Sequence, residues 1–229
     1  MDKLRIYNLA VEVTRRCNAE CEHCLRGDRE SLDLNMVYIE SLFKRVEYIN
    51  CITFTGGEPT LATNQIHNIL RLAEKYEVDV GSFYIVTNAI RVPDSFLLAC
   101  IKWYCYCSDN EITQVVWSND DFHELPDEGV KRLQALGFTS PKYSSAAPSP
   151  YANVINEGRG VNFGHDRHSR TSVEIEDDNE INGDLYLNVK GKLVDGCDWS
   201  YASQEDHTIC CAGKLSLPVL QKYLDERES

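Results

Sequence analysis

Val13-Thr14-Arg15-Arg16-Cys17-Asn18-Ala19-Glu20-Cys21-Glu22-His23-Cys24 sets three cysteines at the spacing Cys-x-x-x-Cys-x-x-Cys, directly after a run that reads as a strand. That run, Leu4 to Val13, carries Ile6, Leu9, Ala10, Val11 and Val13 and is mostly apolar, as a strand buried on both faces should be. Three thiolates on one short loop supply one ligand fewer than a cubane has irons, so a 4Fe-4S cluster held there keeps one iron open to a non-protein ligand. An open iron points to chemistry rather than electron storage.

A second signature lies one strand-helix unit further on. Thr55-Gly56-Gly57-Glu58-Pro59 follows the strand-like Cys51-Ile52-Thr53-Phe54. Together the two motifs resemble those of the radical S-adenosylmethionine (SAM) superfamily, in the right order and about one βα unit apart. The Val-Thr-Arg-Arg-Cys-Asn opening and Thr-Gly-Gly-Glu-Pro look most like the branch of peptide-maturation and molybdopterin-type enzymes. A structural zinc site is the rival for the cysteines, with His23 recruited, but it wants four protein ligands and leaves the Gly-Gly-Glu strand unexplained.

The resemblance implies a fold, a pair of cofactors and a set of residues. The fold is α/β, a partial (β/α)6 TIM-like barrel of parallel strands over residues 1–180, with a short C-terminal hairpin and helix over 181–229 packed on it in the same domain. Cys17, Cys21 and Cys24 would bind the 4Fe-4S cluster, whose open iron is chelated by the amino and carboxylate groups of SAM. His23 occupies the place where relatives carry an aromatic near the adenine. Thr55, Gly56, Gly57 and Glu58 would follow the second strand, the glycines letting backbone carbonyls approach the ligand and Glu58 holding the strand end or the SAM ammonium. Thr87 and Asn88 end the third strand and Ser118 and Asp120 the fourth, where relatives contact SAM; a carboxylate at 120 can accept hydrogen bonds from ribose hydroxyls.

The chemistry so implied is reductive cleavage of SAM to a 5′-deoxyadenosyl radical, which abstracts hydrogen from a peptide or small-molecule substrate. The electron would come from a donor such as flavodoxin or ferredoxin. Substrate-facing residues are expected on the same rim, after the later strands: Asp121, His123 and Arg159, with Asn156 and Glu157 beside them. Rival readings are a glycyl-radical-enzyme activase, a deazapurine-type small-molecule enzyme, and a non-catalytic iron-sulfur or SAM-binding module. Nothing before Leu4 reads as a leader-peptide-binding domain, which weakens the peptide option.

Composition narrows the partners. With 36 acidic against 23 basic residues in 229, the formal charge is −13, and no basic stripe appears, so no nucleic-acid partner is expected. The N-terminus lacks a signal peptide's apolar core and no stretch is long enough to span a bilayer. Ten cysteines fit a reducing cytoplasm, and a cytoplasmic location is expected. Cys197, Cys210 and Cys211 raise the question of a second cluster, whereas Cys100 falls in a helix stripe and reads as a small hydrophobe.

Along the chain, Asp33 or Asn35 can cap a helix carrying Met36, Ile39, Leu42, Phe43, Val46 and Ile49. Ala62 to Ala73 form a second apolar stripe, Ser82 to Thr87 a strand, Pro93-Asp94 opens a third helix, Ile112 to Trp117 is a strand, and Pro126 and Gly137 bracket a fourth helix. Ser140 to Pro150 reads as an extended crossing loop, Tyr151 to Ile155 as a fifth strand and Ser172 to Ile175 as a sixth. The acidic run Glu174 to Asp184 reads as a solvated surface loop. His165-x-x-His168 has no partner ligands in its neighbourhood. Leu185 to Val189 and Lys192 to Val194 should pair as a hairpin about Lys190-Gly191, and a helix from about Ser216 to Arg227 closes the chain.

Overall fold

A computed structural model describes residues 3–119, 126–143, 154–163, 172–176 and 179–228. The first half alternates strictly. β1 (Leu4–Thr14), α1 (Met36–Phe43), β2 (Val46–Gly56), α2 (Thr63–Tyr76), β3 (Asp79–Thr87), α3 (Asp94–Tyr106), β4 (Gln114–Asn119), α4 (Asp127–Gln134) and β5 (Thr139–Tyr143) follow one another. Each strand lies parallel to its predecessor, as short helical crossovers require. The second half is β6 (Glu174–Glu176), β7 (Glu180–Leu187), β8 (Lys192–Asp195), β9 (Thr208–Cys211) and α5 (Leu217–Glu228).

The sheet runs β5-β4-β3-β2-β1-β7-β8-β9. β7 joins the free edge of β1 in parallel, which gives a sixth parallel strand, and β8 and β9 extend the sheet antiparallel. The ends of this order, β5 and β9, are not paired with each other, so the barrel is partial and open.

Burial divides the two faces of the sheet. From Leu9 onward, the odd residues of β1 (Leu9, Val11, Val13) join Ile39, Leu42 and Phe43 of α1 and Ile66, Ile69 and Leu70 of α2 in the main core. Ala10, of the alternate set, turns to the other face and packs with Tyr186, Val194 and Trp199. Cys100 is fully buried in α3, and burial pushes its thiol far up, as a small core hydrophobe requires.

Three segments differ from the sequence expectation. α1 is capped by Asn35, whose side chain accepts from Val37 N, but it ends at Phe43, and Val46 and Ile49 lie in β2 opposite Leu4 and Ile6. Their spacing from Phe43 fits a helical stripe equally well, and strand pairing with β1 decides between the two. Thr139–Tyr143 is the fifth strand rather than the start of a crossing loop. Pro141 is tolerated there because, among the described residues, β5 is an edge strand that pairs only with β4. The acidic run is not a surface loop: Glu174–Glu176 and Glu180–Leu187 are paired strands in which Ile175 and Ile181 alternate with the acidic residues and pack into the core. Of the strand expected over Ser172 to Ile175, Glu174 and Ile175 lie in β6, antiparallel to β7. Of the strand expected over Tyr151 to Ile155, residues 151–153 lie outside the described residues, as do His165 and His168.

Candidate functional site

The cysteine loop leaves the C-terminal end of β1 and returns through an isolated antiparallel bridge between Thr14 and Asp33. The Thr14 hydroxyl donates to Asp33 Oδ1 (2.6 Å), and Arg16 Nε donates to the same oxygen (2.8 Å). Within the loop, Cys24 N donates to Cys21 O (3.2 Å) and Gly27 N to Cys24 O (3.1 Å), folding the last two cysteines into successive turns.

The Gly-Gly-Glu turn docks directly on the root of this loop. Gly57 N donates to Thr14 O (2.7 Å) and Glu58 N to Arg16 O (2.8 Å). A Cβ at Gly56 would stand 2.1 Å from Thr14 O, and one at Gly57 would stand 2.2 Å from Arg16 O. The glycines are therefore required by the approach of the two motifs to each other.

Glu58 is a buried clamp, 1% exposed. Its Oε1 accepts from Thr60 N (3.0 Å) and the Thr87 hydroxyl (2.6 Å), and its Oε2 from Asn88 N (2.8 Å). Burial raises its carboxyl pKa, and the bonds from Asn88, Thr87 and Thr60 work against that shift. Thr87 and Asn88 thus meet Glu58 first, and Asn88 Nδ2 continues to Asn18 Oδ1 (2.9 Å) between the first two cysteines. The ends of β2 and β3 and the cysteine loop form one hydrogen-bonded unit.

The three thiols lie within electrostatic reach of one another. Cys21 is pushed up to about 11, by burial first and then by Cys24 and Cys17, with Arg159 pulling the other way. Cys17 is also raised, chiefly by burial, with Glu58 and Cys24 adding to it. Sulfur donors that disfavour one another's ionisation suit a cationic group that takes up the charge of all three. Among the described residues, no group of three or more Cys, His, Asp or Glu side chains is drawn together as a metal-ion site. A cubane asks that the three thiolates face one shared core, each bound to a different iron, rather than meet at a single ion. The donor set therefore fits a 4Fe-4S cluster.

His23 is half-buried on the loop, and Ser118 is half-buried at the end of β4. Thr55 is half-buried one residue before the glycines. Asp120, Asp121 and His123 lie outside the described residues. Arg159 sits against the cysteine loop, its N donating to Cys24 O (2.9 Å), with its Nη1 3.9 Å from Asp28 Oδ1. Glu157 Oε2 turns to the C-terminal segment instead, accepting from the Ser203 hydroxyl (2.8 Å) and Ser200 N (3.2 Å). Asn156 holds a buried Oδ1 that no donor among the described residues reaches.

The supporting shell includes residues that motif reading passed over. Arg15, 1% exposed, donates to Glu12, Glu30 and Gln204, and its guanidinium lies 4.0 Å from the Tyr201 ring centroid. Glu12 also accepts from the Tyr186 hydroxyl (2.8 Å) and Gln204 Nε2 (3.1 Å). A charged residue inside an otherwise apolar strand was the available sign of this network. Cys197 and Cys210 have different neighbourhoods: Cys197 lies near Asp184, Arg26 and Asp198, and Cys210 near Cys211, Arg45 and Lys214.

Residues 11–102 match the family model "Radical SAM superfamily". Over that span, less than half of the chain, the sequence is similar to a radical SAM domain. The chain is also 31% identical over 94 residues to a GTP 3',8-cyclase of Sulfurovum sp. (strain NBC37-1), a match covering 38% of this chain and only 28% of that enzyme. Among solved structures, anSMEcpe with bound AdoMet and the Cp18Cys peptide superposes with a TM-score of 0.61 at 13% identity, over 98% of this chain and 82% of that one. BtrN in an open conformation superposes at 0.54 and 15% identity, over 100% and 86%. At these identities the structural likeness is one of fold, and it extends the partial barrel beyond the radical SAM domain. The radical SAM family that this span resembles is one that implies a 4Fe-4S cluster and SAM as cofactors. No helix of the described residues is long and apolar enough to cross a membrane.

Proposed function

We propose that this chain is a radical SAM enzyme whose cluster is held by Cys17, Cys21 and Cys24, and which acts on a peptide or small-molecule substrate. When bound, the cluster supplies one electron that breaks a carbon-sulfur bond of SAM, yielding a 5′-deoxyadenosyl radical that abstracts hydrogen from the substrate. The observation that carries this reading is the pair of backbone hydrogen bonds joining the Gly-Gly-Glu turn to the cysteine loop, Gly57 N to Thr14 O and Glu58 N to Arg16 O. A loop meant only to store electrons has no need of a second strand end fixed against its root.

In this reading the chain's own residues bind and orient. Glu58 fixes the β3 end through Thr87 and Asn88, and Asn88 steadies Asn18, so that the half-buried Thr55, His23 and Ser118 are presented toward SAM from a rigid rim. Asp120 would accept from the ribose hydroxyls. Asp121, His123 and Arg159 are assigned to the substrate side. The peptide bound by anSMEcpe and the small-molecule reaction named for the cyclase relative keep both substrate classes in play.

The test is anaerobic reconstitution with iron and sulfide, followed by counting iron and assaying 5′-deoxyadenosine after dithionite and SAM. About four irons per chain with deoxyadenosine formed supports the proposal. Cys24→Ala should abolish both while the circular dichroism of the barrel persists. Iron without SAM cleavage, or deoxyadenosine from the Cys24 variant, would overturn it.

A further inference from the structure

A cavity of about 730 Å³ lies at the opposite end of β1 from the cysteine loop, where the start of that strand, the end of α1 and the start of α5 meet. Its size is that of a small-molecule site. Part of its lining is apolar, made by Leu4, Leu215, Leu217 and Pro218, and the same cavity takes three cations, Lys3, Lys44 and Arg45. No carboxylate is among the described residues that line it.

The charge of these cations is not cancelled by their neighbours. Lys3 Nζ donates to Tyr76 O at 3.4 Å and Arg45 Nη1 to Leu215 O at 3.5 Å, and Lys44 Nζ stands 5.7 Å from the Tyr76 ring centroid. All of these are long contacts to neutral groups. Among the described residues, none of the three cations enters an ion pair. Glu40 is the acid that feels Lys44, but it is bonded to Lys75 and Tyr76, and Lys44 comes last among the groups that lower its pKa. Lys3 and Lys44 are exposed, Arg45 is half-buried, and Leu4 and Leu215 are buried.

We propose that this cavity binds a phosphate monoester carried on an apolar or aromatic body. Three cations match a head group that bears close to two negative charges better than a carboxylate that bears one. The leucines take the body that follows the head. On a chain of net −13, positive charge left uncancelled in one concave place concentrates anions there, while the rest of the surface repels them. The ligand is not the molecule attacked at the cysteine loop. From Leu4 to Thr14 β1 rises about 33 Å, further than a ligand enclosed by this cavity can reach. The site is therefore a separate effector site, and its occupant ties the first residues of β1 to the end of α1 and the start of α5.

Calorimetric titration of the full chain with 1-naphthyl phosphate, 1-naphthoate and inorganic phosphate tests the assignment. Neither SAM nor a reductant enters, so the result stands apart from the radical reading. 1-Naphthyl phosphate should bind most tightly, 1-naphthoate about three- to tenfold more weakly, and inorganic phosphate at least about tenfold more weakly. Lys3→Gln and Lys44→Gln, both at exposed positions, should each weaken 1-naphthyl phosphate about three- to tenfold, and the loss should shrink at high salt. Lys102→Gln removes the same charge from an exposed position of α3 and should leave the affinity unchanged. Saturating 1-naphthyl phosphate should also raise the melting temperature of the unmodified protein more than that of the Lys44 variant. Equal affinities in the unmodified protein and the Lys3 and Lys44 variants overturn the site. So does inorganic phosphate or 1-naphthoate binding as tightly as the aryl phosphate, or an unmodified protein that does not bind the aryl phosphate.

Discussion

Arg15 Nε donates to Glu12 Oε1 at 2.5 Å with both side chains removed from solvent, 1% and 0% exposed. The pair links the end of β1 to the first residues of the cysteine loop. Gln204 bonds both partners, and Tyr186 bonds Glu12. It therefore ties the loop root to β7 and to the C-terminal segment at once. Two buried charges cost more in desolvation than an isolated ion pair returns, and this pair is sustained by the further hydrogen bonds on each partner.

Removing one partner should be far worse than removing both. Glu12→Ala leaves the Arg15 cation buried beside Glu30 and Gln204 alone and should lower stability by about 3–5 kcal/mol. Adding Arg15→Met should recover a substantial part of that loss, because no uncompensated charge remains. Urea denaturation of the two single variants and the double variant measures the coupling directly. Additive losses would show that the buried pair is not a unit.

Gly57→Ala addresses the contact between the two motifs. Its Cβ would stand 2.2 Å from Arg16 O and 2.7 Å from the Arg16 carbonyl carbon, both backbone atoms that yield only if the loop root moves. The expected result is a folded barrel that retains well under half the iron of the unmodified protein after reconstitution. Gly137→Ala serves as control: it meets nothing within 4 Å and pays only for its positive φ of 80°, so it should lose some stability and no iron.

The acid limb of stability should carry the mark of Glu40. Lys75 Nζ (2.8 Å) and the Tyr76 hydroxyl (2.6 Å) both donate to Glu40 Oε1 across the α1–α2 contact, and these bonds hold its carboxyl at about 2 against an ordinary 4.5. A carboxyl lowered in the folded state releases its proton more readily there than in the unfolded chain. Its contribution is therefore complete above the ordinary value and is lost as the pH falls through about 2. The gap in urea midpoint between unmodified protein and Glu40→Gln should be constant near neutrality and close progressively on acidification. A gap independent of pH would refute the assignment.

Much of this architecture could be read from the chain because the signals were local. Cys17, Cys21, Cys24 and Gly56-Gly57-Glu58 carry their spacing in sequence, and the βα alternation from Leu4 to Gln134 follows from apolar periodicity. The α1 boundary failed because Val46 and Ile49 satisfy a helical and a strand period equally, and only pairing with Leu4 and Ile6 separates them. β5 was hidden by Pro141, which counts against a strand unless the strand is known to lie at an edge. The partners of Arg15 were out of reach for a simpler reason: Gln204 lies 189 residues away, and no local pattern announces such a contact.

The link between Asn88 and Asn18 should be visible as coupling. Asn88 Nδ2 donates to Asn18 Oδ1 at 2.9 Å, while its own N–H is held by Glu58 and its Oδ1 accepts from Ile90 N. It is thus fixed from behind and reaches forward to the loop between Cys17 and Cys21. Asn88→Ala and Asn18→Ala should each weaken SAM binding by about tenfold, equivalent to roughly one charge-neutral hydrogen bond plus the freedom it returns to the loop. The double variant should be little worse than either, since the second change removes a group whose partner is already gone. Calorimetric titration of SAM into the reconstituted proteins gives the cycle, and iron content in each shows whether the loop still holds its ligands in place. If the two losses multiply, the residues act separately, and β3 does not position the cysteine loop through Asn88.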